Sequence, residues 1–107
     1  MAHQKHQDLI NKLSNCVSAC EQCADACLSE DNIEAMVDCI RTDRDCADVC
    51  ALALKAVSRD SKHASKIVEL CADICEQCAE ECAKHDHDHC QECAEACREC
   101  AEACRQY

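Results

Sequence analysis

Four cysteines fall in twelve residues at Cys71, Cys75, Cys78 and Cys82, stepping by 4, 3 and 4. At about 100° per residue, such a set lies within roughly 60° on an α-helix and forms a single stripe. The residues between are Ala, Glu, Gln, Asp and Ile, most of them strong helix formers, with no Gly, Pro or Asn among them. The same spacing returns at Cys16, Cys20, Cys23, Cys27 and at Cys93, Cys97, Cys100, Cys104. A second segment keeps the register with one carboxylate: Cys39, Asp43, Cys46, Cys50. Cys90, three residues before Cys93, extends the last stripe. A shift of 55 carries the first quartet onto the third, and a shift of 54 carries the second onto the fourth, the pattern of a duplicated helical hairpin.

Each segment between the quartets carries helix-start chemistry. In "SEDNIE", Asp31 is the expected N-cap, with Glu34 three residues on; in "HDHDHCQ", Asp88 and Gln91 repeat that spacing. Ser58, Asp60 and Ser61 separate the two halves. The chain holds neither Gly nor Pro, which argues against tight β-hairpins. The reading is all-α: helices near 4–29, 32–57, 61–84 and 88–105, joined by short connections into an up-down-up-down antiparallel four-helix bundle, one domain over residues 1–107. Folding the hairpins brings Cys27 opposite positions near 34 and Cys16 opposite positions near 45, so the quartets overlap in depth and form a Cys-lined core. Toward the other end, Leu9, Leu13, Leu54, Val57 and Ile67 continue the inward faces as a hydrocarbon plug.

Phe and Trp are absent and Tyr107 is the single aromatic, so thiols take the core volume that aromatics would normally fill. A net charge of −11 argues against nucleic acid, whose phosphates call for Lys and Arg clusters. No segment approaches the ~20 apolar residues of a membrane span, and "MAHQKHQDLINKL" has no apolar run like that of a signal peptide. The expected location is the cytoplasm, where thiols stay reduced.

One buried Cys is an ordinary core filler. Fifteen in four matched stripes are not, because Ala, Leu or Val would pack without the liability to oxidation. A disulfide within one helix constrains little, and inter-helix bonds do not need this register. A peroxide or disulfide reductase would need one distinct, accessible, low-pKa thiol, and no Cys stands out. Zinc prefers discrete four-ligand sets, although a general zinc or metal buffer stays open. Soft thiolates select Cu(I). Seven Cys-x-x-x-Cys pairs (16/20, 23/27, 46/50, 71/75, 78/82, 93/97 and 100/104) could each hold one ion. Many ions along a tube point to storage or buffering, not catalysis.

These pairs on four helices resemble the bacterial copper storage proteins over the stretch Cys16–Cys104. The resemblance implies a four-helix bundle with inward Cys, many Cu(I) ions per chain and a homotetramer. The lack of a twin-arginine leader resembles the cytosolic branch. Partners would be copper ions and the copper chaperones or chelators that deliver or remove them. Asp43 departs from an all-sulfur core. It is a metal ligand or an acceptor of S–H bonds if inward, with Arg41, Arg44 or a neighbouring chain as candidate partners for its charge. Met36, His85, His89 and Cys90 are candidate ligands at the mouth between the 29–32 and 84–89 loops, with His85 the foremost imidazole. His3, His6 and His63 read as ordinary surface histidines, and His87 points away.

Overall fold

The computed structural model describes residues 6–107; His3 lies outside them. Four helices follow in order: α1 (Gln7–Cys27), α2 (Val37–Ser58), α3 (Ala64–Ala83) and α4 (Asp88–Arg105). Each packs against its neighbours in sequence, and α4 returns against α1, giving a rod of 48 × 19 × 18 Å. Sulfur contacts fix the directions. Cys16 meets Cys46 at 3.8 Å while Cys27 meets Cys39 at 4.0 Å, so α1 and α2 run antiparallel. Cys46–Cys75 at 3.6 Å and Cys50–Cys71 at 3.7 Å say the same of α2 and α3, as do Cys16–Cys97 and Cys23–Cys90, both at 3.8 Å, of α1 and α4.

The expected helices are present, with shifted ends. The end of α1 unwinds over residues 28–30 into tighter i→i+3 bonds, the last from the Glu30 N–H to the Cys27 carbonyl at 3.2 Å. The second helix does not begin at Asp31. A 3₁₀ turn, Ile33–Met36, comes first, and Asn32 caps it by accepting from the Ala35 N–H at 3.4 Å. After α2, Asp60 takes φ 53°, the left-handed position that glycine usually fills. The Ser61 N–H reaches the Ala56 carbonyl at 2.9 Å and the Asp60 N–H reaches Val57 at 3.2 Å, so the helix closes in a Schellman motif without glycine. Then α3 starts at Ala64, three residues later than expected. Gln91 does not serve a capping box at Asp88; its amide donates to the carbonyls of His85 at 2.6 Å and Ala83 at 3.3 Å, tying off the end of α3.

At the plug end Leu9, Leu13 and Val57 are buried as expected, and Leu54 and Ile67 are half-buried against them. On α3 the fully inward residue is Val68, not Ile67, because Val68 lies three residues before Cys71 and continues its stripe. His6 packs its ring against Tyr107 at 4.9 Å, joining the start of α1 to the residues that follow α4.

Candidate metal centre

All sixteen cysteines are free and buried. Along each helix, successive-turn partners sit 3.9–4.0 Å apart, as in Cys16–Cys20, Cys46–Cys50 and Cys78–Cys82. Contacts between helices are as short or shorter: Cys50–Cys75 is 3.6 Å, and Cys20–Cys97, Cys39–Cys82 and Cys20–Cys93 are 3.7 Å. The sulfurs are therefore not set out as seven isolated single-helix pairs. Sulfurs gather in fours within 4.8 Å of one another, and the sets share members. Cys16 and Cys46 belong both with Cys50 and Cys75 and with Cys20 and Cys97; Cys20 and Cys97 also join Cys78 and Cys93; Cys50 and Cys75 also join Cys71 and Cys100. Cys23, Cys27, Cys39 and Cys90 make a set near the mouth. Structural zinc sites usually take four ligands of their own. Thiolates that bridge two- and three-coordinate Cu(I) suit such overlap.

Asp43 points inward and is fully buried. Its partners are neither Arg41 nor Arg44, both exposed, but thiols. The S–H groups of Cys78, Cys82 and Cys93 donate to Oδ1 at 3.3, 3.2 and 3.4 Å, and Cys39 donates to Oδ2 at 3.8 Å. Burial, and then the neighbouring Cys93, push this carboxyl from its ordinary 3.8 up to about 10. Among the described residues, no buried side-chain nitrogen or oxygen lacks a partner.

At the mouth, burial pushes the Cys27 thiol up to about 11 and the Cys90 thiol up as well. Both stay protonated near neutral pH, so an incoming cation must displace their protons. The imidazole on these thiols is His89. Its Nδ1 lies 3.5 Å from the Cys23 and Cys90 sulfurs and 4.0 Å from Cys27. His85, expected to take this role first, turns instead to the Glu81 carboxylate at 2.9 Å. The reason is register: His89 stands four residues before Cys93 on the α4 stripe, whereas His85 lies past the end of α3. Met36 is buried and, with Glu30, His85 and His87, lines a surface pocket of about 420 Å³ at this mouth. Glu30, not anticipated from sequence, accepts from His89 Nε2 at 2.8 Å and lies 3.3 Å from His87 Nδ1. It occupies a connection whose path the helical period does not dictate.

The profile of the family described as "Copper storage protein" matches residues 2–107. The chain belongs to the copper storage protein family. Membership is a storage role, not a catalytic one, as expected from thiols of which none is set apart. The copper storage protein 3 of Bacillus subtilis is 52% identical. Its Cu(I)-bound structure superposes with a TM-score of 0.90, covering 94% of both chains, and its copper-free structure with 0.86. A cytosolic copper storage protein from Streptomyces lividans, solved with five coppers, is 40% identical with a TM-score of 0.93, covering 98% of this chain and 92% of that one. The cysteine-rich protein YhjQ of Bacillus subtilis (strain 168) is 52% identical over 71 residues; the aligned stretch spans 66% of each, just under two thirds of that relative.

Proposed function

We propose that the chain stores Cu(I) in the cytoplasm, holding many ions per chain on the thiolates of its sixteen cysteines. The observation that carries this reading is the sharing of sulfurs between adjacent sets of four. A shared thiolate bridges two ions, so cysteines and copper can approach equal number along the tube. Buried, hydrogen-bonded thiols keep the empty bundle neutral, and each Cu(I) that enters replaces a proton. Filling therefore adds no net charge to a core that could not bear it. Asp43, Met36, His89 and His85 complete the candidate ligand set. Ions enter at the end where His89, Cys23, Cys27 and Cys90 meet, since the far end is hydrocarbon. The cytoplasmic assignment is supported by the likeness to a cytosolic relative. Assembly as a homotetramer is consistent with Leu52 and Leu70, each about half exposed on α2 and α3. Copper chaperones or chelators would supply and withdraw the metal.

Anaerobic titration of the reduced protein with Cu(I) tests the reading. The expected end point is on the order of 16 ions per chain; an end point at one or two ions would reject storage. A parallel Zn(II) titration that reached the same number of ions would favour a general metal buffer. Sedimentation at several protein concentrations gives the assembly state.

A further inference from the structure

His89 offers two nitrogens to two chemistries. Its Nδ1 faces the sulfurs of Cys23, Cys90 and Cys27, and its Nε2 lies 2.8 Å from Glu30 Oε2. A carboxylate can only accept, so the neutral ring carries its proton on Nε2 and turns its lone pair on Nδ1 toward the thiols. His89 keeps under a quarter of its side-chain surface exposed, and Glu30 little more. Their contact is thus partly shielded from the water that would compete for it. Glu30 is itself anchored one turn beyond Cys27, through its N–H on the Cys27 carbonyl at 3.2 Å. The same Oε2 lies 3.3 Å from His87 Nδ1, and the His87 and His89 rings stack at 5.4 Å and 4°. Stacking and carboxylate together leave the His89 ring one orientation.

We infer that Glu30 is the positioning residue of the copper mouth: it fixes the tautomer and aim of His89, so that Nδ1 is presented unprotonated to Cu(I) arriving at the Cys23–Cys27–Cys90 thiols. The inference rests on the storage reading and adds to it a residue that never touches the metal. Carboxylates behind metal-binding imidazoles act in this way, and their loss typically costs 10–100-fold in affinity or activity. His87 shares the carboxylate and acts as a wall for the ring.

The test uses the full reduced chain and its Glu30→Ala, Glu30→Gln, His89→Ala and doubly substituted Glu30→Ala/His89→Ala forms. Nitrogen-15 shifts of the copper-free protein should report the Nε2–H form of His89 in the parent and in Glu30→Gln, whose carbonyl oxygen still accepts. A mixture of tautomers is expected in Glu30→Ala. Uptake of substoichiometric Cu(I) from a chelated donor should slow about 10-fold in Glu30→Ala and return to within about twofold of the parent in Glu30→Gln. Adding Glu30→Ala to His89→Ala should slow uptake no further. An unchanged tautomer and rate in Glu30→Ala would overturn the proposal. A further loss in the double variant would also overturn it, because Glu30 would then act on copper directly. Final capacity separates the two levels of the argument: if the parent itself saturates at one or two ions, storage fails, whereas altered rates at full capacity concern Glu30 alone.

Discussion

The two ends of the bundle are built from the same helices and the same 4-3-4 register, yet they do opposite things. At one end the inward positions are Leu9, Leu13, Val57 and Val68; at the other they are Cys23, Cys27, Cys39 and Cys90. Leu13 and Cys27 are equally inaccessible, so burial does not distinguish them. Side-chain chemistry does. Hydrocarbon at the plug stabilises by leaving water and offers a cation nothing. Sulfur at the mouth contributes less apolar area per residue but gives a soft ion a ligand at every turn. Periodicity makes the container, and the choice of residue within the period makes one end a seal and the other a binding surface.

The largest effect that would separate the two ends is on the stability of the copper-free protein. Leu13→Ala leaves a cavity in the plug and is expected to cost about 2–5 kcal/mol, whereas Cys27→Ala, which removes one sulfur, should cost about 1 kcal/mol. Denaturant unfolding under anaerobic reducing conditions measures both. Equal losses would mean that the thiol end bears as much of the fold as the plug. The same pair checks the direction of traffic, since Leu13→Ala combined with Leu54→Ala should leave copper uptake unchanged if the plug is not a route.

Asp43 sits between the ends and gives the next largest effect. The folded protein holds its carboxyl proton up to about pH 10, while the unfolded chain releases it near 3.8. Across that window the folded state binds more protons, so its stability is full below the unfolded value and declines as pH rises through the window. Asp43→Asn removes the proton but keeps the shape. It should make the copper-free bundle about 4 kcal/mol less sensitive to pH between about pH 5 and about pH 8. The comparison of melting temperatures is made between parent and variant, so the titration of the thiols, common to both, cancels. Parallel pH curves would show that the carboxyl is not held protonated by its burial among Cys39, Cys78, Cys82 and Cys93.

The architecture was legible in the sequence because a 4-3-4 spacing admits one secondary structure and one inward face, and the absence of glycine and proline leaves few ways to turn. The inward Asp43 and its thiol partners follow from the same register. Sequence was less informative where the chain leaves that register. Asp31 and Asn32 are both good caps, and only the extra 3₁₀ turn selects Asn32. The contact of Glu30 with His89 joins the α1–α2 connection to the start of α4, a separation that no local pattern encodes. The role of His89, however, could have been found by counting back four residues from Cys93. Val68 likewise follows from counting back three from Cys71.

The smallest expected effect bears on how narrow the mouth is. His85 lies at the rim, its Nε2 held by Glu81 at 2.9 Å and its backbone carbonyl by Gln91 at 2.6 Å. Met36 is sealed beneath the same pocket. His85 turns to Glu81 and Met36 offers only a neutral thioether from within the core cluster, so each would influence copper only as it passes. His85→Ala leaves the Gln91 bond in place, since that bond uses the main chain, and should change the uptake rate by less than about threefold, well below the effect of His89→Ala. Met36→Ala should loosen the 3₁₀ turn and cost about 2 kcal/mol as a buried truncation, with a similarly small change in rate. Capacity should stay the same in both, since all sixteen thiols remain. Stopped-flow uptake from a chelated Cu(I) donor ranks the three variants. If His85→Ala slows loading as much as His89→Ala does, copper pauses at the rim before it reaches sulfur, and the binding surface extends one turn farther out than the thiols.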